Sequence, residues 1–253
     1  MVQCVAGDRA QVKTLIGPDS DPHLFEPNAS DARAMKKAQL VVVNGMAFEP
    51  WLSRLRKSVG AGSPLVVATD GIKLRISRDP HAWLHPANAA AYYEDIRSGL
   101  AAVDPAHASS YEKNAAECAR KLDDLDAEIR AGLASIPKEK RRVIVGHSSF
   151  AYFSAAYDVQ FLSPVGASTE MQPSAKRVAD LITQIRREKI TAVFVENISD
   201  PRLIEQIARE TGVKLGGKLY ADALSKKDGP APTYLALMRH NAKLLTAAMS
   251  AGF

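Results

Sequence analysis

The chain has 253 residues, long enough for one large domain or two modest ones that each bury a core. Hydrophobic residues make up 46% and charged residues 24%, which is ordinary for a globular protein, and no apolar run approaches the roughly 18 to 20 residues that span a bilayer. The net charge of +5 comes from 33 basic and 28 acidic side chains that are interspersed, as at Lys121, Asp123 and Asp124, so a nucleic-acid footprint is not expected.

Short β-branched runs alternate with amphipathic stretches. Strands are predicted at Gln11 to Ile16, Leu40 to Asn44, Pro64 to Thr69, Val143 to His147, Ala192 to Glu196 and Val213 to Tyr220. This alternation predicts an α/β fold with mostly parallel sheets. Pro86, Pro105 and Pro201 each follow a polar residue (His85, Asp104, Asp200), the pattern of an N-cap followed by proline at the first helical position.

From Pro105 to about Ser135 the pattern predicts one long helix. Tyr111, Ala115, Cys118, Leu122, Leu125, Ile129 and Leu133 fall at steps of three and four and form a continuous apolar stripe. Roughly thirty residues at 1.5 Å each reach about 45 Å, a helix that either lies along the surface of one domain or, with strands predicted on both sides of it, braces two lobes. The expected organisation is an N-terminal lobe over 1–104, a linking helix over 105–136 and a C-terminal lobe over 137–253. The short basic loop from Gly71 to Arg78 carries no histidine cluster.

With only two cysteines, Cys4 and Cys118, no cysteine-based zinc framework exists; one disulfide is compatible with the pair but not required by it. The opening Met-Val-Gln-Cys lacks the basic and apolar segments of a secretory signal, which fits either a cytosolic protein or one whose signal is no longer present.

Six histidines differ in setting. His23 lies in Asp-Pro-His-Leu-Phe-Glu-Pro after a predicted strand, His81 in a second Asp-Pro-His before a helix, and His147 at the end of Val143-Ile144-Val145-Gly146. Asp222 follows the Val213 to Tyr220 strand. Ligands of open α/β sheets bind at the carboxyl ends of strands, so these four are placed where a site is expected. Three imidazoles and a carboxylate suit zinc and are acceptable to manganese. Taken singly, each histidine reads more readily as a cap or a hydrogen-bonded surface group than as a ligand, and Asp222 as a turn residue; it is their joint placement that points to a site. Glu196, closing Val193-Phe194-Val195, is placed either to orient a ligand histidine or to cap a loop. His85 is placed as the N-cap of the helix at Pro86. His107 and His240 read as surface groups on helices.

Two other chemistries are disfavoured. Gly146-His147-Ser148-Ser149-Phe150 lacks the closing glycine of a nucleophile elbow, and Gly216-Gly217-Lys218 lacks phosphate-loop spacing.

Taken together, these segments resemble the metal-specific solute-binding proteins of ABC importers, the zinc and manganese group. The carriers are Gly17-Pro18-Asp19-Ser20-Asp21-Pro22-His23 with Phe25-Glu26-Pro27, Val41-Val42-Val43-Asn44-Gly45 followed by Phe48-Glu49-Pro50-Trp51-Leu52, and Asp79-Pro80-His81-Ala82-Trp83-Leu84. His147 with Phe150-Ala151-Tyr152-Phe153, Glu170 to Ser174, Phe194 to Glu196 and Tyr220-Ala221-Asp222 complete the set. The resemblance implies two α/β lobes joined by one long helix, with a metal in the interlobe cleft held by His23, His81, His147 and Asp222. Histidine at the third ligand position is frequent in zinc members and glutamate in manganese members, so His147 favours Zn2+ over Mn2+.

The resemblance further implies capture of the metal outside the cytoplasm, delivery to the transmembrane permease of an ABC importer, no enzymatic activity and a monomeric state. It also implies a first strand and a signal segment ahead of Met1. Where the family has aspartate this chain has His85, either a cap or an accessory imidazole near the site, and the histidine-rich loop of many zinc members is missing before His81. The competing readings are a zinc hydrolase that uses a metal-bound water and a metal-binding adhesin.

Overall fold

The computed structural model describes residues 1–250 apart from Ala61, Leu74, Ser77, Arg78, Met171 and Thr191. The loops Gly71 to Arg78 and Glu170 to Ser174 therefore lie partly outside the described residues. Two compact units are present, one formed by Met1–Gly17 and Pro22–Asp124, the other by Pro18–Asp21 and Leu125–Phe253.

In the first unit, α1 (Val2–Ala6) and α2 (Ala29–Lys37) precede β1 (Val41–Val43); α3 (Leu52–Val59) leads to β2 (Leu65–Val67), and α4 (Pro86–Val103) follows. The β-branched valines form a parallel pair in which Val41, Val42 and Val43 face Leu65, Val66 and Val67. A capping box starts α2, with the Asn28 side chain accepting from the N–H groups of Ser30 and Asp31 while Asp31 accepts from Asn28 N–H. Met35 of α2 and Leu55 of α3 pack with Trp51, and Leu15, Ile16 and Phe25 join them.

That packing accounts for one corrected expectation. Gln11 to Ile16 is not a strand, because no ladder pairs with it among the described residues, and Leu15 and Ile16 pack against this cluster instead.

The predicted long helix is α5 (Ala108–Ala134), entered through a 3-10 turn at Pro105–His107. At 27 residues it is about 40 Å long. All seven stripe residues are buried, Tyr111 through Leu133. The division between the units falls within this helix, at Asp124 and Leu125. Cys4 of α1 and Cys118 of α5 form a disulfide, settling the pairing that composition left open.

The second unit contains β3 (Arg142–Ile144), α6 (Ala151–Tyr157), β4 (Gln160–Leu162), α7 (Ala175–Glu188), β5 (Ala192–Glu196), α8 (Arg202–Thr211), β6 (Lys214–Leu219) and α9 (Tyr234–Ser250). Its four strands are parallel in the order β4-β3-β5-β6. The core gathers Ile144 and Val193 from the sheet with Leu181, Ile182 and Ile185 of α7 and Ile204 and Ile207 of α8.

Between the pairs Val193–Leu215 and Val195–Lys218, β6 carries one extra residue at Gly216-Gly217, a bulge with Gly217 at φ 119°. A Cβ on Gly216 would lie 2.4 Å from the Phe194 ring, so the diglycine serves close strand packing. The bulge sets the register that brings Leu219 opposite Glu196 and so fixes where the chain emerges toward Asp222.

Candidate metal centre

In the first unit, His23 and His81 are buried with ring centroids 5.9 Å apart. Phe48 meets both rings edge-on, at 5.2 Å and 6.0 Å, and Trp83 lies 5.3 Å from His81. This apolar wall lowers the local dielectric around the imidazoles.

Asp79 orients His81. Its Oδ1 accepts from the His81 backbone N–H at 2.9 Å and from Nδ1 at 2.7 Å. A proton held on Nδ1 leaves the Nε2 lone pair as the donor to a ligand. The Asp-Pro-His sequence is the local reason, because a carboxylate two residues upstream folds back onto the following N–H groups in an Asx-type turn.

The chain after β1 holds this loop from the other side. Asn44 Nδ2 donates to the Pro80 carbonyl at 2.9 Å, and Tyr92 donates to Asn44 Oδ1. Gly45, Met46 and Ala47 all have positive φ (88°, 54° and 62°), a tight left-handed turn that lets Glu49 accept from the N–H groups of Asn44 at 2.6 Å and Gly45 at 3.1 Å. Burial pushes the Glu49 carboxyl above the ordinary glutamate value, and those N–H groups oppose the shift. Trp51 Nε1 donates to the Pro22 carbonyl at 3.0 Å, anchoring the residue before His23.

In the second unit, His147 follows β3 and bridges Val165. Glu196, the last residue of β5, accepts from the His147 backbone N–H and from its Nδ1, each at 2.9 Å through Oε2, and its Oε1 accepts from Ser149 Oγ at 3.1 Å. Gly146 makes room for that carboxylate, since a Cβ there would lie 2.5 Å from Glu196 Oε2. The other ring nitrogen, Nε2, lies 3.2 Å from Asp222 Oδ2, and both side chains are buried. Burial alone would push the His147 imidazole down; the Glu196 and Asp222 carboxylates outweigh it and hold the imidazole well above its ordinary value. Asn241 of α9 fixes the approach to Asp222, accepting from Tyr220 N–H at 2.9 Å and donating to the Tyr220 carbonyl at 2.6 Å.

Each unit therefore presents an adjacent pair from the expected set, His23 with His81 and His147 with Asp222. Each pair contains a histidine whose Nδ1 is held by a carboxylate. His85 Nδ1 accepts from Ala87 N–H at 3.2 Å as the N-cap of α4. His107 bonds Asp104, and His240 Nε2 lies 2.9 Å from the Lys218 carbonyl. Sequence reasoning missed Asp79, Asn44 and Asn241. The doubled Asp-Pro-His motif carried a signal for Asp79, whereas Asn44 and Asn241 act across 36 and 21 residues with no local signature.

Oriented imidazole and carboxylate donors, His147 and Asp222 after β3 and β6 and His23 and His81 on loops of the first unit rather than at strand ends, have the chemistry of a metal-binding protein of the solute-binding class. The chain belongs to the ZnuA family, described as zinc-uptake complex component A, periplasmic, which it matches over residues 1–248. Among curated relatives, the iron-binding protein YfeA of Yersinia pestis is 36% identical over 94% of this chain and 79% of its own. The manganese ABC transporter substrate-binding lipoprotein PsaA of Streptococcus pneumoniae is 28% identical over 94% and 81%. Among solved structures, the Mn-bound periplasmic metal binding protein of Candidatus Liberibacter asiaticus matches with TM-score 0.87 at 30% identity, covering 98% of this chain and 94% of that one. The periplasmic zinc binding protein TroA of Treponema pallidum matches with TM-score 0.93 at 26% identity over the same shares.

Proposed function

We propose that this chain captures a divalent transition metal outside the cytoplasm and hands it to the permease of an ABC-type importer, holding one ion with His23, His81, His147 and Asp222. The observation that carries the reading is the pairing of each half-set with its own orienting carboxylate, Asp79 on His81 and Glu196 on His147. Ligand histidines of metal sites characteristically donate their second ring N–H to a carboxylate.

Zinc is the favoured cargo and manganese the alternative, because three imidazoles and one carboxylate form a nitrogen-rich set that binds zinc more tightly. The relatives are named for iron, manganese and zinc, so it is the donor chemistry that supports the choice. Four protein ligands close the coordination shell and leave no open position for a hydrolytic water, which supports a binding rather than catalytic role. The relatives' names support transport over hydrolysis or adhesion. The Cys4–Cys118 disulfide fits an oxidising, extracytoplasmic compartment, and a monomer is the expected working state.

The test is metal content after chelation and reloading with zinc or manganese. One tight equivalent, lost in His23→Ala, is the expected result; a His23→Ala protein that keeps its full equivalent overturns the ligand assignment.

A further inference from the structure

Pro18–Asp21 belongs to the second unit, although Gly17 before it and Pro22 after it belong to the first. Hydrogen bonds inside the second unit hold this strap. Asp19 N–H donates to the Leu224 carbonyl at 3.0 Å, Thr169 Oγ1 donates to Asp21 Oδ2 at 2.6 Å, and Asn197 Nδ2 donates both to Asp19 Oδ1 at 3.0 Å and to the Ala223 carbonyl at 3.2 Å. Asp19 adopts φ 54°, the left-handed conformation that asparagine and aspartate tolerate best among residues with a Cβ.

The position of Asn197 gives this clip its consequence. It follows Glu196, which orients His147, and it bonds the carbonyl of the residue after Asp222. Its other partner is the carboxylate four residues before His23. Pro18 and Pro22 stiffen the strap by fixing φ at two of its positions. Four extended residues reach about 14 Å, so whatever holds Asp19 limits how far the Cα of His23 can lie from that point.

We propose that Asn197 is a positioning residue for metal retention, clipping the strap to the second unit through Asp19 so that His23 stays on a short tether to the unit that carries His147 and Asp222. The proposal rests on the ligand set given above. Loss of the Asn197 bond leaves the strap on its Leu224 and Thr169 bonds alone, a looser hold on the segment that leads to His23, so the ion is shed faster while the encounter that loads it is little changed.

The experiment is stopped-flow release of zinc from the full chain into excess chelator, with loading measured separately. Asn197→Ala and Asp19→Ala are each expected to release zinc about tenfold faster, the factor carried by a hydrogen bond to a charged group. Loading rates should stay near wild type. Asp19→Asn, which keeps an Oδ1 acceptor for Asn197 Nδ2 and a residue type that tolerates the left-handed backbone, is expected to retain slow release, which a merely structural sensitivity of the strap to substitution would not produce. Wild-type release from both alanine variants, or release from Asp19→Asn as fast as from Asp19→Ala, overturns the proposal. Should Asn197→Ala fail a melting check, Asp19→Ala at the exposed strap carries the test. His23→Ala in the same assay separates the two readings: retained zinc there removes the ligand set, whereas lost zinc with unaltered Asn197→Ala release removes only the clip.

Discussion

Glu196 Oε2 takes two hydrogen bonds from a single residue, His147, one from its backbone N–H and one from its ring Nδ1, both at 2.9 Å. A strand-end carboxylate thus fixes the position and the tautomer of the imidazole together. Replacing Glu196 with glutamine is expected to weaken zinc binding by about 10 to 100-fold, the usual effect of removing a partner of this kind, with the fold retained. Calorimetric titration checks this, and unchanged affinity would remove Glu196 from the site.

Gly146→Ala is expected to perturb the same contact from the backbone side, because its Cβ would sit 2.5 Å from Glu196 Oε2. The carboxylate must move, so zinc affinity should fall in the direction of Glu196→Gln. A Gly146→Ala protein with wild-type affinity and wild-type melting temperature would show that the carboxylate has room to spare.

The raised pKa of His147 gives a pH prediction with a definite sign. In the metal-free protein its contribution to stability is fully present below the ordinary histidine value of about 6.5 and is lost as pH rises through the elevated folded value. Metal binding needs the neutral ring, so near pH 7 zinc should displace a proton from His147, and affinity should decline as the solution is acidified. Titrations in buffers of different ionisation enthalpy count that proton. Wild type is expected to release more protons than Glu196→Gln, and equal counts would contradict the assignment.

His147→Ala and His85→Ala should part company. The first removes a donor and is expected to abolish tight binding. The second removes only the α4 cap, which contributes about 0.5 to 2 kcal/mol, so its melting temperature should fall while zinc is kept. Equal losses of affinity would mean that His85 is a ligand.

Reducing the Cys4–Cys118 disulfide, or replacing both residues with serine, is expected to cost about 2 to 5 kcal/mol of stability through the freedom returned to the unfolded chain. Denaturant unfolding with and without reductant measures it, and coincident midpoints would count against a stabilising role.

Local pattern was enough for most of the elements and for the chemistry that is carried locally. The stripe from Tyr111 to Leu133 announced α5 and its buried face, because helical period is a short-range property. Each of His23, His81, His147 and Asp222 stood out as a candidate from its place after an apolar run or an Asp-Pro turn. Gln11 to Ile16 misled for the complementary reason: alternation specifies a strand only where a partner completes the ladder.

Relationships between residues far apart in the chain belong to the folded molecule alone. Glu196 reaches His147 over 49 positions, Asn197 reaches Asp19 over 178, and Cys4 meets Cys118 over 114. A short sequence window carries backbone preference and amphipathic period. Which carboxylates meet His147 depends on strand order and on the Gly216-Gly217 bulge, which exist only once the chain has packed.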